Sequence, residues 1–399
     1  MSKRGHDVWY LESTRHYWID RSPGPAPTVG HGAVTQAGCS RNRAGTIRRF
    51  AGPAPRGCAD LPPLPGADEE LGEIEASIEA LAAPWGSRVH LRYSQLRGNR
   101  LTVSPVAQGA VRYRAVWSVT GWFRPASSVP ALPLGWSGRG NGLAWLTGPA
   151  RLELDTLAHS VRRASATTTC VGKAVLAPAA AAVVVHETVA HQVESPASAG
   201  RGAAELGSRI ASELITAHDD PRADHGAAHY EVDDDNIRVL GRTAVVVDGR
   251  RTAWLHSADS ADEQDTLPTA NSRSSSAWDL PLPRTSNLVV EAGTSSEAEL
   301  VAEAHEGLYV RRLSHGVSDG AHFEANLTLG ERIDHGRLTG DYVVGGHIRE
   351  RLDLLHRVTR VADNTTFHSN ALCGKGGQVL FDVGTAAPSL GLSSLRVRA

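Results

Sequence analysis

Two histidines and a glutamate at close spacing are the residues of this sequence with the clearest chemistry. They form the pattern H-E-x-x-x-H as His186, Glu187 and His191. Neutral imidazoles are good ligands for Zn²⁺, and a carboxylate beside the first ligand can accept a proton from water held by the metal. The pattern therefore indicates a zinc-dependent hydrolase, with two unrelated buried histidines as the alternative.

The spacing of the two histidines sets a condition on the helix that carries them. Residues five apart in a regular α-helix differ by about 140° in direction and point to nearly opposite sides. His186 and His191 can therefore share one metal only if the helix widens between them, for example through a π-bulge, or ends there.

The segment around these residues is predicted to be a buried helix. Pro178 suits the first turn of a helix, and residues 179–185 are all apolar. A helix that is apolar on every side is typical of a protein interior. The longest apolar stretch, 174–185, is too short to span a bilayer. We therefore expect a buried metal-binding helix.

Periodicity predicts the elements that surround this helix. Three- and four-residue spacing of apolar side chains predicts helices at 68–83, 152–163, 297–305 and 348–355. Alternation predicts strands within 88–127 and at 243–247, 252–255, 287–291, 308–313, 322–329, 342–344 and 379–383. The polar segment 257–278 is predicted to be a mobile loop.

These elements predict an α+β fold with three parts. Residues 1–67 are rich in Pro, Gly and Arg and are expected to form an irregular arm, with a short strand near 8–10. Residues 68–173 are expected to form an N-terminal domain of mixed helix and sheet, in the α/β class. Residues 174–399 are expected to form a mainly antiparallel, β-rich C-terminal domain that contains the metal-binding helix.

Composition excludes several broad classes of protein. The 399 residues include 41 Lys and Arg against 43 Asp and Glu, so the net charge is −2. That balance argues against binding to nucleic acid or to an anionic membrane. The four cysteines, at 39, 58, 170 and 373, are widely spaced, and the N-terminus does not read as a signal peptide. We therefore expect a cytoplasmic protein with reduced thiols.

Two other groups of polar residues compete as metal sites. One is a dense cluster of His and Asp, for which a solvated loop is the favoured alternative: His218, Asp219, Asp220, Asp224, His225 and His229. The other is Asp233–Asp235, which lacks the glycine-spaced acidic loop of a calcium site and is predicted to be an exposed turn.

The wider sequence resembles a known family. His-Glu-Thr-Val-Ala-His-Gln-Val-Glu, at 186–194, is similar to the signature of the TldD/PmbA zinc metallopeptidases, with Ala190 where the family commonly has Gly and Val193 in place of Leu. The resemblance covers 85–399 and is weak before 150. Further segments resemble the family in its own order, at 207–214, 218–221, 233–235, 247–249, 283–288, 307–310, 373–378 and 388–390.

The resemblance implies a third metal ligand and a mechanism. The C-terminal Cys that joins the two histidines in catalytic members matches Cys373 here. A thiolate is a good zinc ligand, whereas an ordinary buried thiol is the alternative. Two His, one Cys and a water would give a four-coordinate site, in which the water occupies the one open position. Glu187 would activate that water as general base and then protonate the leaving amine.

Two residues of the family's R-x-x-N element, Arg284 and Asn287, are candidate substrate-binding residues. They could hold a peptide backbone or carboxylate, or they could fix the start of a strand. The resemblance implies cleavage of peptide bonds in short or unfolded peptides.

The resemblance also implies a partner. This chain, which has the motif, would be the catalytic half of a heterodimer with a PmbA/TldE-like homologue, or would pair with a second copy of itself. Two alternatives stand beside this reading. One is a TldD-like hydrolase that tailors a peptide-like intermediate in antibiotic biosynthesis. The other is a non-catalytic scaffold subunit, if Ala190 prevents the helix from widening.

Overall fold

The computed structural model describes most of the chain. The described ranges are 8–21, 28–31, 35–41, 47–50, 68–104, 107–124, 131–162, 164–195, 205–276, 279–369 and 372–399. Within them, no helix combines the length and the apolar character that a membrane-spanning helix requires.

The helices of the described ranges are short, and one of them changes type along its length. A π-helical segment at His186–Ala190 joins two α-helices, and 3₁₀ turns lie at Gly86–Arg88 and Leu352–Arg357. The α-helices are α1 (Asp68–Ala82), α2 (Leu143–Thr147), α3 (Pro149–Val161), α4 (Pro178–Val185), α5 (His191–Val193), α6 (Ala258–Glu263) and α7 (Glu297–Ala304).

Strands make up most of the remaining regular structure. Those before α4 are β1 (Val8–Arg21), β2 (Thr28–His31), β3 (Thr35–Arg41), β4 (Ile47–Phe50), β5 (Val89–Ser104), β6 (Ala107–Phe123), β7 (Leu132–Arg139), β8 (Ala164–Ala166) and β9 (Cys170–Leu176). Those after it are β10 (Ala217–Asp219), β11 (Thr243–Val247), β12 (Arg250–Arg251), β13 (Ser272–Arg273), β14 (Leu282–Pro283), β15 (Asn287–Val290), β16 (Gly307–Ser318), β17 (His322–Asp334), β18 (Arg337–Val344), β19 (Gly346–Arg351), β20 (Val358–Val361), β21 (Thr366–Ser369), β22 (Cys373–Lys375), β23 (Gln378–Leu380), β24 (Gly384–Ala387) and β25 (Leu390–Val397).

The N-terminal part is an antiparallel sheet in the order β4-β3-β1-β5-β6-β7, with β2 paired to β1. Apolar residues at helical spacing on α1, including Ile74 and Ile78, are buried against alternate residues of β5 such as Leu91. The two periodicities, 3.6 for the helix and 2 for the strand, therefore meet in one apolar core.

The first 67 residues differ from the expected irregular arm. Four strands, β1 to β4, lie in this segment, and β1 pairs with β5 from Arg21 opposite Leu91 to Trp9 opposite Val103. Local composition did not reveal them because β5 and β3 supply the hydrogen-bonding partners, and such pairing is not written in the Pro- and Gly-rich segments between the strands. Residues 51–67 lie outside the described ranges.

Two further sheets form the C-terminal part. One has the order β20-β25-β9-β16-β17-β18-β8 with β19 on β17, and the other has the order β12-β11-β10-β15-β24-β21. Most neighbours are antiparallel, although β9–β16, β8–β18 and β15–β24 run parallel. Helix α4 is buried in the large apolar cluster of this part, with Ala180, Val184 and Val185 inside. The expected mixed fold with a mainly antiparallel C-terminal part and a buried helix is confirmed.

Most predicted elements are present, and three segments differ. The strand predicted at 252–255 is wrong, because the return strand of that hairpin, β12, covers only Arg250–Arg251. The predicted helix at 348–355 is wrong, because residues 346–351 form β19 on β17 and a 3₁₀ turn follows. The predicted loop at 257–278 contains α6, which begins at a capping box of Ser257 and Ser260, and also contains β13.

Candidate metal centre

A widened turn of helix brings the two histidines of the motif to one side. The His191 N–H donates to the carbonyl oxygen of His186, five residues earlier, as in a π-helix. The two imidazole rings consequently lie with their centroids 4.8 Å apart. Ala190 takes ordinary right-handed helical angles, φ −53° and ψ −53°, so its methyl group does not oppose the widening. The condition set by the five-residue spacing is met.

A hairpin places Cys373 against the same two rings. Strands β22 and β23 pair through a two-residue turn of Gly376 and Gly377, whose φ angles of 58° and 78° favour glycine. The Cys373 Sγ lies 3.3 Å from His186 Nε2 and 3.9 Å from His191 Nε2. One sulfur and two nitrogens thus converge from two elements far apart in sequence.

The donor atoms fit a metal of the zinc type. All three lie within 4.8 Å of one another. Two nitrogen or sulfur ligands at tetrahedral angles around one zinc are about 3.5 Å apart, close to the two sulfur–nitrogen separations found here. Imidazole and thiolate are donors that bind zinc well, whereas ions such as Mg²⁺ favour carboxylate oxygens.

The electrostatics favour the ionised thiol. Burial alone would raise the pKa of the Cys373 thiol, but the neighbouring His186, hydrogen bonds with both imidazoles and the charge of Arg284 outweigh it and hold that pKa well below its usual value. Burial likewise opposes the charged form of His191, yet Glu194 and Cys373 raise its pKa. The thiolate, which is the form of cysteine that binds metals, is therefore favoured at this position.

Glu187 lies at the edge of this donor cluster. Its side chain is almost completely buried, and its Oε2 is 3.9 Å from His191 Nε2. Strand β16 passes directly beside it at Gly316, where a Cβ atom would lie 3.2 Å from Glu187 Oε1 and 2.7 Å from Val183 Cγ1. A glycine at this position leaves room for the carboxylate.

A buried carboxylate, Glu194, fixes the orientation of the second histidine. Its Oε2 lies 3.2 Å from His191 Nδ1 and accepts a hydrogen bond from Lys375 Nζ at 2.8 Å. Its Oε1 accepts from the Thr285 N–H at 2.8 Å. With Nδ1 facing this carboxylate, Nε2 of His191 presents its lone pair toward Cys373. The sequence contained the signal, since Glu194 stands three residues after the second histidine, but no role followed from it.

The side chains of Arg284 and Asn287 both form hydrogen bonds with other groups of this chain. Arg284 Nη2 donates to the carbonyl oxygen of Cys373 at 2.6 Å and contacts its Sγ at 3.0 Å. The Asn287 amide donates to the carbonyl oxygens of Asp220 and Ala228 and accepts from the Ala228 N–H. Both side chains are fully buried. The Asn287 contacts favour the alternative in which this residue fixes the start of β15, whereas those of Arg284 hold Cys373 of the hairpin.

The competing clusters do not assemble as metal sites. In the part of the chain that the structure describes, His186, His191 and Cys373 form the one group of three potential ligands within reach of a common ion. Asp219 instead accepts hydrogen bonds from Asn271 and Ser286. The predicted exposed turn at Asp233–Asp235 is wrong, because all three carboxylates are buried and accept hydrogen bonds, several of them from serines.

Comparison with known proteins agrees with this geometry. Residues 169–399 match the family model described as the PmbA/TldA metallopeptidase C-terminal domain. A metalloprotease of Methanocaldococcus jannaschii is 29% identical over 211 residues, which cover 52% of this chain and 46% of that protein. A metalloprotease TldD homolog of Haemophilus influenzae is 24% identical over 221 residues, covering 54% and 45%. The chain thus spans about half the length of the curated relatives it matches.

The fold also matches a solved structure along nearly its whole length. TldE from Thermococcus kodakarensis superimposes with a TM-score of 0.70 at 13% sequence identity, covering 99% of this chain and 97% of that one. At this identity the match establishes the fold alone. The family match covers more than half of the chain and includes the helix, the hairpin and all three potential ligands. This chain therefore belongs to the TldD/PmbA family of metallopeptidases.

Proposed function

We propose that this chain is a zinc-dependent peptidase that hydrolyses peptide bonds in short or unfolded peptides. The observation that carries the proposal is the convergence of His186, His191 and Cys373, through a π-helical turn and a tight hairpin, on one point beside Glu187. In this proposal the three residues hold the metal and the glutamate is the catalytic base. The metalloprotease names of the relatives support it.

The roles of the residues follow from their positions. When bound, zinc would polarise the scissile carbonyl and increase the acidity of a water. Glu187 accepts the proton of the attacking water and later gives it to the nitrogen of the leaving amine. Arg284 positions Cys373 through its contacts with the carbonyl oxygen and Sγ of that residue. In our proposal Arg284 therefore has a positioning role and does not bind the substrate.

The setting of the site supports further parts of the proposal. The structural similarity to TldE supports pairing with a homologous subunit or with a second copy of this chain. Cys373 must stay reduced to act as a ligand, which suits the cytoplasm. The expected boundary at residue 173 would fall inside β9, which pairs with β16 of the C-terminal sheet. We therefore place the domain boundary near residue 169, where the family match begins.

Hydrolysis of an unstructured fluorogenic peptide by zinc-loaded protein, with and without the homologous subunit, tests this function. Glu187→Gln should keep the zinc and lower kcat by about 100-fold or more, since proton transfer typically contributes that much. Glu213→Gln, at an exposed carboxylate, is the matched control and should leave the rate unchanged. Equal rates for wild type and Glu187→Gln would contradict the proposal.

A further inference from the structure

A large cavity lies beside helix α4, outside the cluster of His186, His191 and Cys373. Its volume is about 840 Å³, within the usual size of a ligand site, and it lies between β7 and β21. Each of these strands is an edge strand of its own sheet. The two strands are joined where the Ser137 N–H donates to Ser369 Oγ.

The helix that carries Glu187 forms part of the cavity wall. Ala179 and Val183 line the cavity, and these residues stand two turns and one turn before Glu187 on the same helix. Gly316 of β16 abuts both Val183 and Glu187, while Arg312 of the same strand lines the cavity. A peptide whose scissile bond lies beside Glu187 could therefore place a neighbouring side chain in this cavity.

Aromatic side chains and bare backbone form its walls. The indoles of Trp136 and Trp145 lie with their centroids 4.5 Å apart, and Phe367 of β21 lines the cavity as well. Gly135, Gly138 and Gly140 of the β7 region also line it, and they contribute no side chain. Flat aromatic surfaces beside open backbone suit a planar apolar ring.

The two partly buried charges of the cavity, Arg312 and Glu153, balance each other inside the protein. Arg312 forms an ion pair with Glu153, and the Trp136 Nε1–H donates to the same carboxylate at 2.6 Å. Burial, and then the charge of Arg312, lower the pKa of His368 to about 4, so this imidazole is neutral near pH 7. Arg139 is an exposed cation that lines the cavity. An ion pair with this solvent-exposed cation would contribute little to binding. A charged side chain would therefore lose hydration in the cavity with little compensation.

We propose that this cavity binds an uncharged aromatic side chain of the substrate, next to the peptide bond that is cleaved. The proposal deepens the proposed function and rests on it, because it names the class of side chain that the peptidase selects. It makes Phe367 and Trp145 specificity residues and assigns the Arg312–Glu153 pair the task of keeping the cavity neutral.

Binding to Glu187→Gln protein by calorimetry tests the proposal without requiring hydrolysis. The probes are acetylated and amidated tripeptides, Ala-Phe-Ala, Ala-Ala-Ala, Ala-Lys-Ala and Ala-Glu-Ala. We expect the Phe peptide to bind about 10-fold or more tightly than the Ala peptide, as burial of one ring provides. The Lys and Glu peptides should bind no better than the Ala peptide. Equal Kd values for all four peptides, or absence of binding, would overturn the proposal.

Variants locate the preference within the cavity. Phe367→Ala, and independently Trp145→Leu, should remove most of the preference for Phe over Ala. Trp122→Ala is the matched control, since this part-buried aromatic of β6 packs beside His90 outside the cavity, and it should keep the preference. A preference unchanged in both cavity variants would also overturn the proposal.

The two proposals can fail separately. Selective binding of the Phe peptide without hydrolysis of any peptide by the wild type would support the cavity and contradict the peptidase function. Hydrolysis at equal kcat/KM for peptides with Phe and Ala would do the reverse.

Discussion

The carboxylate of Glu194 connects the helix that carries His191 to the hairpin of β22 and β23. This carboxylate contacts His191 on one side and accepts from Lys375 of β22 on the other, while burial is outweighed by the charges of Lys375, His191 and Arg284, which keep its pKa well below the usual value. A carboxylate that orients a ligand imidazole commonly increases metal affinity although it does not bind the metal itself. The residue therefore supports the site without touching the metal position.

We predict that Glu194→Gln lowers zinc affinity by about 10- to 100-fold, because the amide no longer supplies the charge that orients His191. Competition with a chromophoric chelator measures the change. Glu303→Gln, in a surface pair with Arg360, is the control and should keep wild-type affinity. Unchanged affinity in Glu194→Gln would show that the hairpin and helix hold His191 without this carboxylate.

A second residue-scale prediction concerns the space beside Glu187. Gly316→Ala should lower kcat of the peptidase by at least about 10-fold while zinc content stays near the wild-type level, since the added Cβ must displace Val183 or the Glu187 carboxylate. Gly172→Ala on β9, where a Cβ meets no atom within 4 Å, should be neutral. If Gly316→Ala turned over peptide at the wild-type rate, Glu187 would not need its observed position.

Residue chemistry alone identified part of this site. His186, Glu187 and His191 stand close enough in sequence for their types and spacing to indicate a metal. Cys373 has no local signal, and the family resemblance was needed to place it. The contacts of Arg284 with Cys373 and of Glu194 with Thr285 join segments far apart in the chain, so no spacing rule could have revealed them.

At the scale of elements, the π-helical turn and the Gly376–Gly377 hairpin determine whether three donor atoms meet. The turn needs φ angles of 58° and 78°, which L side chains adopt at a cost. A Cβ on Gly377 would meet no atom within 4 Å, so the penalty of a substitution there is backbone strain alone.

We therefore predict that Gly377→Ala lowers the free energy of unfolding by about 1–2 kcal/mol and weakens zinc binding, because the strained turn relaxes and moves Cys373. Gly377→Asn should lose less, since Asn tolerates the left-handed region. Denaturant unfolding and chelator competition measure the two effects. Gly374→Ala, on the same hairpin and without a positive φ, is the control. Equal losses in both Ala variants would refute the account of the turn.

Elements with strong local periodicity were predictable, and those that depend on distant partners were not. The helices at α1, α3 and α7 match their apolar spacing closely. Residues 348–355 carry helical spacing too, but β17 offers a sheet edge and the tertiary pairing prevails. Local sequence assigns Ser272 of β13 and the adjacent Ser274 to a polar loop, because their partners, the buried carboxylates of Asp233–Asp235, lie about forty residues earlier.

At the scale of the whole molecule, one buried carboxylate joins the N-terminal sheet to the region of the metal hairpin. Asp382 Oδ1 lies 2.6 Å from Arg114 Nη2 of β6 and 2.7 Å from Arg273 Nη2 of β13. Arg273 is fully buried, and although burial opposes its charge, Asp382 and other neighbours raise its pKa. The three side chains thus connect Arg114, which lies before the family match, with Arg273 and Asp382, which lie within it.

We predict that Asp382→Asn destabilises the protein by about 3–5 kcal/mol, because a buried guanidinium loses its counter-charge. Thermal and denaturant unfolding measure the loss. Asp353→Asn, at an exposed pair with Arg351, should cost less than about 1 kcal/mol. A midpoint for Asp382→Asn equal to that of this control would mean that the ion pairs of Asp382 add nothing to stability.

The most direct test of the account is the zinc content of identically purified wild type, Cys373→Ser and Cys170→Ser, measured by elemental mass spectrometry. Cys170 is exposed and lies outside the donor cluster, so its variant controls for the loss of a thiol. We predict near-stoichiometric zinc in wild type and Cys170→Ser and little zinc in Cys373→Ser. Wild-type zinc content in Cys373→Ser, or no zinc in wild type after zinc is supplied, would contradict the proposed centre of two histidines and one cysteine.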